Sequence, residues 1–201
     1  GGAVLGSPSA LSLAGAGVGT IGLVDDDVVS ESNLQRQVLY TEDEIGLSKA
    51  LQAQKRLQAL NHDIRINAYP TRLTKENAAS LIANYDIVVD GCDNFTTRYI
   101  INDACAHWGR PYVYGAILAF EGQVSVFNYQ GGPDYRTLYP DEEEMLAMPA
   151  PFKGVLGVTP GVIGCMEANE VMKIIGGYGE VLSGKLWQID LRTMESYTIM
   201  L

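Results

Sequence analysis

Polar side chains of several chemical types follow an apolar segment near the start of the chain. Thr20–Val24 reads as a strand, and three consecutive acids, Asp25, Asp26 and Asp27, follow it. A short way on, the chain adds amide and guanidinium groups at Asn33, Gln35, Arg36 and Gln37. An acidic run alone is typical of a solvated loop. Here the acids come with amides and an arginine directly after a strand, where open α/β sheets carry their ligands, so we interpret the loop as a binding site.

The first residues of the chain indicate a turn that could receive a phosphate group. The small residues of GGAVLG at 1–6 suggest a loop entering a helix, with Ser7 as its cap and Pro8 at its first position. Backbone N–H groups at such a helix start can approach an anion closely. Asp25 follows Gly6 by 19 residues, close to the spacing at which an acid meets a ribose hydroxyl in dinucleotide-binding folds.

Lys49 stands in the first turn of the next predicted helix, residues 48–60. Apolar residues recur there at helical spacing, at Ala50, Ala53, Leu57 and Leu60. A cation is mildly unfavourable at a helix N-terminus unless an anion docks beside it. An ordinary surface lysine is the alternative, but the neighbouring polar loop favours an anion contact.

A second short strand, residues 87–89, is followed at once by the sequence DGCDN at 90–94 and then by a helix to about Gly109. Strand, loop and helix therefore repeat, which predicts an α/β fold with a Rossmann-like, doubly wound and largely parallel sheet. Because the C-terminal ends of parallel strands share one edge, the two loops are expected to face one crevice. Asp93 and Arg98 are then candidates for metal or phosphate contacts.

The C-terminal half follows a different pattern. Strands are predicted at 112–115, 123–129, 186–190 and 196–201, and they extend the sheet in antiparallel fashion. We expect a single domain over 1–201, with a nucleotide-binding half at 1–130, a mobile crossover loop at 131–153, and a C-terminal helix and strands at 154–201. The helix is predicted over 164–175 from its apolar stripe.

Composition excludes several classes of protein. The 201 residues are 47% hydrophobic with a net charge of −10, which argues against nucleic acid as an obligate partner. The longest apolar runs are too short for a membrane span, so we expect a cytoplasmic protein. Three widely spaced cysteines form no CxxC pair; Cys92 is interpreted as a packed thiol rather than a nucleophile. The chain opens in a glycine-rich turn, and we expect a strand and an N-terminal arm before it.

Several motifs in this order resemble one family. They are DDD at 25–27, SNLQRQ at 32–37, Lys49, DGCDN at 90–94, and GVLG with PGVIG between 154 and 164. Together they are similar to the E1-like adenylyltransferases of the ThiF/MoeB/HesA type. The resemblance implies an ATP-dependent enzyme that adenylates the C-terminal Gly-Gly carboxylate of a small ubiquitin-like sulfur carrier, of the ThiS or MoaD kind, and releases pyrophosphate. It also implies a homodimer that serves thiamine or molybdopterin biosynthesis.

The same resemblance assigns roles to residues of this chain. Asp25 would hold the ribose, while Asn33, Arg36 and Lys49 would hold the triphosphate. Asp93 would bind the catalytic magnesium, so that Arg36, Lys49 and Asp93 form the catalytic set. The nucleotide-binding set is Gly1, Gly6, Asp25, Asp27, Asn33, Arg36, Lys49, Asp93 and Asn94. Since the attacking carboxylate is already ionised, no general base is expected, and His62 and His107 are interpreted as structural.

The chain departs from the family pattern at three places. Its glycine loop carries Ala3 and Val4 where the family has glycines, which adds Cβ atoms near the phosphates. The first pair of zinc cysteines is replaced by Asp134 and Thr137, so no structural zinc is expected. The crossover loop lacks the cysteine that takes the activated carrier in some members, and Ala150 stands near its position. We therefore expect adenylation without a subsequent thioester step.

Two other classes stay open from the sequence. An NAD(P)-dependent oxidoreductase would explain the glycine turn and Asp25, but it leaves Asn33, Arg36 and Lys49 without a role, because backbone amides usually hold a dinucleotide pyrophosphate. A non-catalytic scaffold of the same fold would explain the altered glycine loop and the missing thiol. A relative acting on a different carboxylate, such as one linked to tRNA, finds no support in the acidic composition.

Overall fold

The computed structural model describes residues 3–149 and 154–201. Within these ranges the order of elements is α1 (Ala3–Gly15), β1 (Thr20–Val24), α2 (Lys49–Leu60), β2 (Arg65–Tyr69), α3 (Lys75–Ile82), β3 (Val88–Val89), α4 (Phe95–Trp108), β4 (Tyr112–Leu118), β5 (Glu121–Phe127), α5 (Tyr135–Leu138), α6 (Glu142–Ala147), α7 (Val158–Gly176), β6 (Lys185–Asp190) and β7 (Glu195–Met200). Short 3₁₀ turns cover Glu31–Asn33 and Glu42–Glu44. No helix in the described ranges is long and apolar enough to span a membrane.

The strands form two sheets. β1 and β2 are parallel and joined through α2, with Thr20 opposite Arg65. β3 is parallel to β4, and β4, β5, β6 and β7 continue as an antiparallel meander. The predicted Rossmann-like fold with an antiparallel extension is therefore confirmed. Parallel pairing is confined to β1–β2 and β3–β4, while the C-terminal half is antiparallel throughout the described strands.

Helices cover both faces of the larger sheet. Side chains that alternate along β4 pack against the helices on each face. Tyr112 and Tyr114 point to one face, where they pack with Tyr99 of α4 and Tyr135 of α5. Val113 points to the other face and joins the core under α1 and α7. Because successive residues of a strand face opposite sides, one strand contributes to both layers of the core.

Several helix ends follow from local chemistry in the sequence. Thr74 and Asn77 form a capping box at α3, and Asn94 Oδ1 accepts the N–H of Thr97 at α4. Gly109 and Gly177 end α4 and α7 in the left-handed conformation, with φ of 60° and 62°.

The start of α1 differs from the prediction. The helix begins at Ala3, so Pro8 lies inside it and Ser7 is a buried helical residue rather than a cap. Proline removes one helical hydrogen bond, but tertiary contacts compensate, because Ser9 Oγ lies 2.9 Å from the carbonyl oxygen of Gly164 on α7. Packing against α7 thus outweighs the local signal.

Two segments contain more helix than the sequence indicated. The predicted crossover loop includes α5 and α6, capped by Asp134 and Asp141, whose carboxylates accept the N–H groups of Thr137 and Glu144. Residues 150–153 of that loop, with Ala150, lie outside the described ranges. The C-terminal helix α7 starts at Val158, well before residue 164, and includes Pro160 in its first turn, where proline is tolerated.

Candidate functional site

Asp25 directly follows β1, at the C-terminal end of the parallel strands of the small sheet. The N–H of Asp25 donates to the carbonyl of Tyr69 at 3.2 Å, which ties together the ends of β1 and β2. The Asp25 side chain is buried, and its Oδ1 accepts the N–H of Asp27 at 2.8 Å. This bond from the side chain to the backbone two residues on fixes the first residues of the loop. It leaves Asp25 in the wall of the site and Asp27 at its surface.

Lys49 is held beside Asp27. Its Nζ lies 3.2 Å from Asp27 Oδ2, and its backbone N–H donates to the carbonyl oxygen of Asp27 at 3.0 Å. The Lys49 side chain is only 4% exposed, whereas that of Asp27 is 58% exposed. A carboxylate therefore offsets the unfavourable position of this cation at the N-terminus of α2. The structure thus brings two of the predicted site residues into direct contact.

Tyr40 and Glu44 lie near Asp25 and Asp27; Tyr40 adds a phenol hydroxyl and Glu44 adds a carboxylate. Burial, and then the charges of Asp25, Glu44 and Asp27, raise the pKa of Tyr40, so its phenol stays neutral. Burial alone would raise the pKa of Glu44, but hydrogen bonds from the Thr41 N–H and from Arg56 lower it. The wall of the site therefore combines the carboxylates of Asp25, Asp27 and Glu44 with the cation of Lys49.

Arg36 lies in a compact loop with Asn33. The carbonyl of Asn33 accepts the N–H groups of Arg36 and Gln37, at 3.0 and 2.9 Å. Arg36 Nη1 donates to the carbonyl of Ser32 at 3.0 Å. Both the Arg36 and Asn33 side chains are partly exposed, so their polar groups are positioned by the loop and remain accessible to a ligand.

The turn at 90–94 follows β3 and is built around Asp90. Asp90 Oδ1 accepts from both the N–H and the thiol of Cys92 at 2.8 Å, and Oδ2 accepts from Arg98 Nε at 2.9 Å. Asp93, in contrast, is exposed, and its Oδ1 lies 3.3 Å from Asn94 Nδ2. Asn94 in turn caps α4. The turn therefore presents the Asp93 carboxylate to solvent from a fixed backbone.

The prediction that Arg98 contacts phosphate or metal is wrong in this structure. Arg98 is buried, and its Nη2 donates to the carbonyl oxygens of Cys92 and Gly115, at 3.0 and 3.2 Å. Burial lowers the pKa of Arg98, but Asp90 and, after it, Tyr114, Cys92 and Tyr112 together raise it well above its usual range, so the guanidinium stays charged. Arg98 instead forms a buried ion pair with Asp90, because a buried carboxylate needs a charged partner.

Cys92 is buried beside Asp90, as a packed thiol would be. Burial, and then the charge of Asp90, raise its pKa well above the ordinary value. A thiol that stays protonated is a poor nucleophile.

The glycine-rich turn is described only in part. Gly1 lies outside the described residues. Gly6 belongs to the first turns of α1, and a Cβ placed there would meet nothing within 4 Å. Gly6 is the fourth residue of the helix, whereas the N–H groups left without an intrahelical partner are those of the N-cap and of the first three helical residues. The N–H groups that can receive an anion are therefore those of residues 3–5, just before Gly6, rather than those after Pro8.

Carboxylates that suit a hard divalent cation are present in both loops. Asp25, Asp26 and Asp27 offer oxygen atoms that all lie within 4.8 Å of one another, although acidic groups of this kind are common without a metal. Asp93 offers an exposed carboxylate on the other loop. Mg²⁺ is usually held by one or two carboxylates together with phosphate oxygens and water, and these residues fit that requirement. Asp134 and Thr137, which replace the first pair of the family's zinc cysteines, contact each other: Asp134 Oδ1 accepts the N–H and the hydroxyl of Thr137, at 3.1 and 3.2 Å.

Sequence reasoning missed Glu167, which lies at the centre of α7. It is fully buried; its Oε2 accepts from Ser9 Oγ at 2.9 Å, and its Oε1 has no hydrogen-bond partner among the described residues. Burial, and then the charge of Asp90, raise the pKa of Glu167 well above its ordinary value. An acid within a largely apolar helix was the available signal. Glu167 connects α1 with the surroundings of the 90–94 turn.

Comparison with known proteins identifies the family. A family model described as ThiF matches residues 1–201, the whole chain. The chain belongs to the ThiF family. It is 49% identical over 192 residues to the sulfur carrier protein adenylyltransferase of Thermus thermophilus, which covers 92% of this chain and 71% of the relative. It is 47% identical over 192 residues to the probable molybdopterin-synthase adenylyltransferase of Porphyra purpurea, covering 94% of this chain and 50% of the relative.

Solved structures show the same fold. The chain superposes on Escherichia coli MccB, determined with ATP, with a TM-score of 0.82 and 24% identity, covering 100% of this chain and 61% of MccB. The chain spans about half the length of most of the curated relatives it matches. The resemblance inferred from its motifs is thus confirmed at the level of the family and the fold.

Proposed function

We propose that this ThiF-family chain is the catalytic domain of an ATP-dependent adenylyltransferase. It activates the C-terminal Gly-Gly carboxylate of a small ubiquitin-like sulfur-carrier protein and releases pyrophosphate. The observation that carries the proposal is the buried Lys49, held by Asp27 directly after the strand end that presents Asp25. Relatives at 47–49% identity named as molybdopterin-synthase and sulfur carrier protein adenylyltransferases support it.

The roles follow from the chemistry of each group. The buried Asp25 carboxylate accepts hydrogen bonds from ribose hydroxyls. The first N–H groups of α1, which Gly6 directly follows, receive phosphate oxygens. Asn33 donates to the triphosphate through its amide. Lys49 and Arg36 supply positive charge to it, Lys49 from the wall of the site and Arg36 from the adjacent loop.

The reaction is a displacement at the α-phosphorus of ATP. A carboxylate oxygen of the carrier forms a bond to the α-phosphorus, while the bond from that phosphorus to the bridging oxygen of the β-phosphate breaks. The electron pair leaves with pyrophosphate, and the products are the acyl-adenylate and pyrophosphate. No proton has to move, because the nucleophile is a carboxylate. Fixed cations such as Arg36 and Lys49 stabilise the charge that concentrates on the phosphate oxygens.

Magnesium is proposed as the divalent cation of this site, with Asp93 as its protein ligand and Asn94 beside it. When bound, the ion neutralises phosphate charge and acts as a Lewis acid toward the phosphate oxygens. The chain's own contribution is the rigid turn at 90–94, in which Asp90 and Arg98 fix the backbone on both sides of Cys92.

A homodimer is proposed as the functional state. Leu118 and Phe120 at the tip of the β4–β5 hairpin, and Leu156 and Val158 at the start of α7, are all at least 40% exposed. The hydrogen bond from Thr159 Oγ1 to the Ala119 carbonyl, 3.0 Å, joins these segments into one apolar surface. A surface of this kind suits a second copy of the chain. Sedimentation velocity would test it, and a monomer at micromolar concentration would contradict it.

The cytoplasm is proposed as the location, since three free cysteines, two of them buried, fit a reducing compartment. The pathway served is proposed to be molybdopterin or thiamine biosynthesis. Purified ThiS-like and MoaD-like carriers, compared as substrates, would decide between the two.

The direct test is nucleotide binding by calorimetry, followed by pyrophosphate exchange. ATP with Mg²⁺ is expected to bind in the micromolar range, and a carrier ending in Gly-Gly is expected to drive exchange of labelled pyrophosphate into ATP. A carrier without its last glycine is the matched control and should be inactive. Binding of NAD in place of ATP, or the absence of carrier-dependent exchange, would overturn the proposal.

A further inference from the structure

The start of α7 is in close contact with the loop that carries Arg36. Gln35 Nε2 donates to the Val155 carbonyl at 3.2 Å. A Cβ added to Gly157 would overlap the backbone oxygen of Gln35, and it would lie 3.2 Å from the carbonyl carbon. Two separate contacts therefore join the segment 154–157 to the loop at 31–37.

Close approach is the reason for a glycine at this position. Gly157 has φ of −57° and ψ of −25°, in the right-handed helical region that any residue adopts. Its backbone conformation therefore does not require glycine. The missing side chain instead makes room for the Gln35 carbonyl.

Both partners of this contact are firmly held. On the α7 side, Thr159 is buried and its Oγ1 donates to the Ala119 carbonyl at 3.0 Å, which anchors the helix start to the β4–β5 hairpin. On the loop side, the Asn33 carbonyl accepts the N–H groups of Arg36 and Gln37. A displaced Gln35 carbonyl cannot move alone, because its peptide bond continues directly into Arg36.

We propose that Gly157 is a positioning residue for Arg36. The helix start is a rigid surface against which the Gln35 carbonyl rests, and this fixes the direction in which the Arg36 guanidinium leaves the loop. The proposal rests on the role of Arg36 toward the triphosphate that is proposed above. Misplacing a group by about 1 Å at a reacting centre can lower the rate by about a hundredfold, so a single methyl group at this contact is expected to matter.

The test compares Gly157→Ala with Gly161→Ala. Gly161 lies one turn further along α7, and a Cβ there meets nothing within 4 Å, so it is a matched control on the same helix. Each variant is made in the wild-type background and in the Arg36→Ala background. The measurements are the Kd of ATP with Mg²⁺ by calorimetry, the rate of carrier-dependent pyrophosphate exchange, and Tm.

Gly157→Ala is expected to weaken ATP binding or exchange by about tenfold to a hundredfold, while Gly161→Ala stays near wild type. The same Gly157→Ala change is expected to have almost no further effect when Arg36 is already alanine, which a merely structural role would not produce. An unchanged Gly157→Ala variant, or an equal loss in both backgrounds, would overturn the proposal. Wild-type protein that neither binds ATP nor exchanges pyrophosphate would overturn the proposed function, and this inference with it.

Gln35→Ala is the second variant, for the case that Gly157→Ala does not fold. It removes the hydrogen bond to Val155 from an exposed side chain and leaves the backbone in place. A smaller loss of exchange, about threefold, that disappears in the Arg36→Ala background is expected. A Gln35→Ala variant identical to wild type, alongside a Gly157→Ala variant that does not fold, would also count against the proposal.

Discussion

Lys49 and Asp27 form an ion pair in which the cation is buried and the carboxylate faces solvent, with 3.2 Å between Nζ and Oδ2. Such a pair holds the ammonium group in place and leaves its other donors for a ligand. Removing Lys49 strands no buried charge, since Asp27 is exposed. Replacing Lys49 is therefore expected to affect the charge of the site without unfolding the protein.

Lys49→Gln is expected to lower carrier-dependent pyrophosphate exchange by about 100- to 1000-fold, the usual loss when a donor to developing charge is removed. Lys55→Gln, on the exposed side of the same helix, is the matched control and should be near wild type. Both variants should keep the wild-type Tm to within a few degrees. Equal exchange rates for the two variants would contradict the assigned role.

Arg36→Ala is expected to lower exchange by a similar factor and to weaken ATP binding. The fold should be intact, because the Arg36 guanidinium makes its hydrogen bond to the carbonyl of its own loop at Ser32. Arg72→Ala removes an exposed arginine and provides the comparison. Calorimetry and pyrophosphate exchange, measured on the same preparations, distinguish weaker ATP binding from a slower adenylation step. Full activity of Arg36→Ala would contradict the role of Arg36 toward the triphosphate.

Asp90→Asn is expected to destabilise the protein by about 3–5 kcal/mol, because it leaves the buried Arg98 without a charged partner. Urea unfolding monitored by circular dichroism measures this. Asp86→Asn breaks the pair with Arg110 in which the carboxylate is 96% exposed, and it should leave the midpoint almost unchanged. Equal midpoints for the two variants would show that the Asp90–Arg98 pair contributes little.

Glu167 is expected to make stability fall as pH rises. Its pKa in the folded protein is raised above the ordinary value of 4.5 by burial, and then by Asp90. The unfolded chain therefore ionises first, and the folded state loses stability from about that pH upward until the folded pKa is reached. Glu167→Gln removes this titration.

Relative to wild type, the Glu167→Gln variant should therefore gain stability between pH 5 and pH 8. Urea unfolding curves of both proteins at pH 5 and pH 8 measure this difference in unfolding free energy. A difference in the unfolding free energy between variant and wild type that does not change with pH would show that Glu167 is not held neutral.

One cysteine per native chain is expected to react rapidly with a thiol reagent. Cys165 is exposed on α7, whereas Cys92 and Cys105 are buried. Burial raises the pKa of Cys105 to about 12, and burial with the charge of Asp90 also raises the pKa of Cys92. Titration should give one thiol in buffer and three in denaturant, and Cys165→Ser should abolish the native reaction. Two rapid thiols in the native protein would contradict the described packing.

Local chemistry in the sequence determined most of the elements and the family. Hydrophobic spacing predicted α2, and Gly109 marked the end of α4 correctly, because a left-handed glycine acts over a few neighbouring residues. The polar loops at 25–37 and 90–94 were recognisable because each follows directly on a strand, where open α/β sheets carry their ligands.

Tertiary contacts decided what local patterns could not. Pro8 lies inside α1 because packing on α7 outweighs one lost hydrogen bond. Arg98 turns inward because Asp90 is buried and needs a counter-charge. Glu167 and Gly157 matter through residues more than a hundred positions away, Ser9 and Gln35. A sequence read along the chain specifies side-chain chemistry and local conformation, but the partner that each buried or closely packed group meets is set only when distant segments come together.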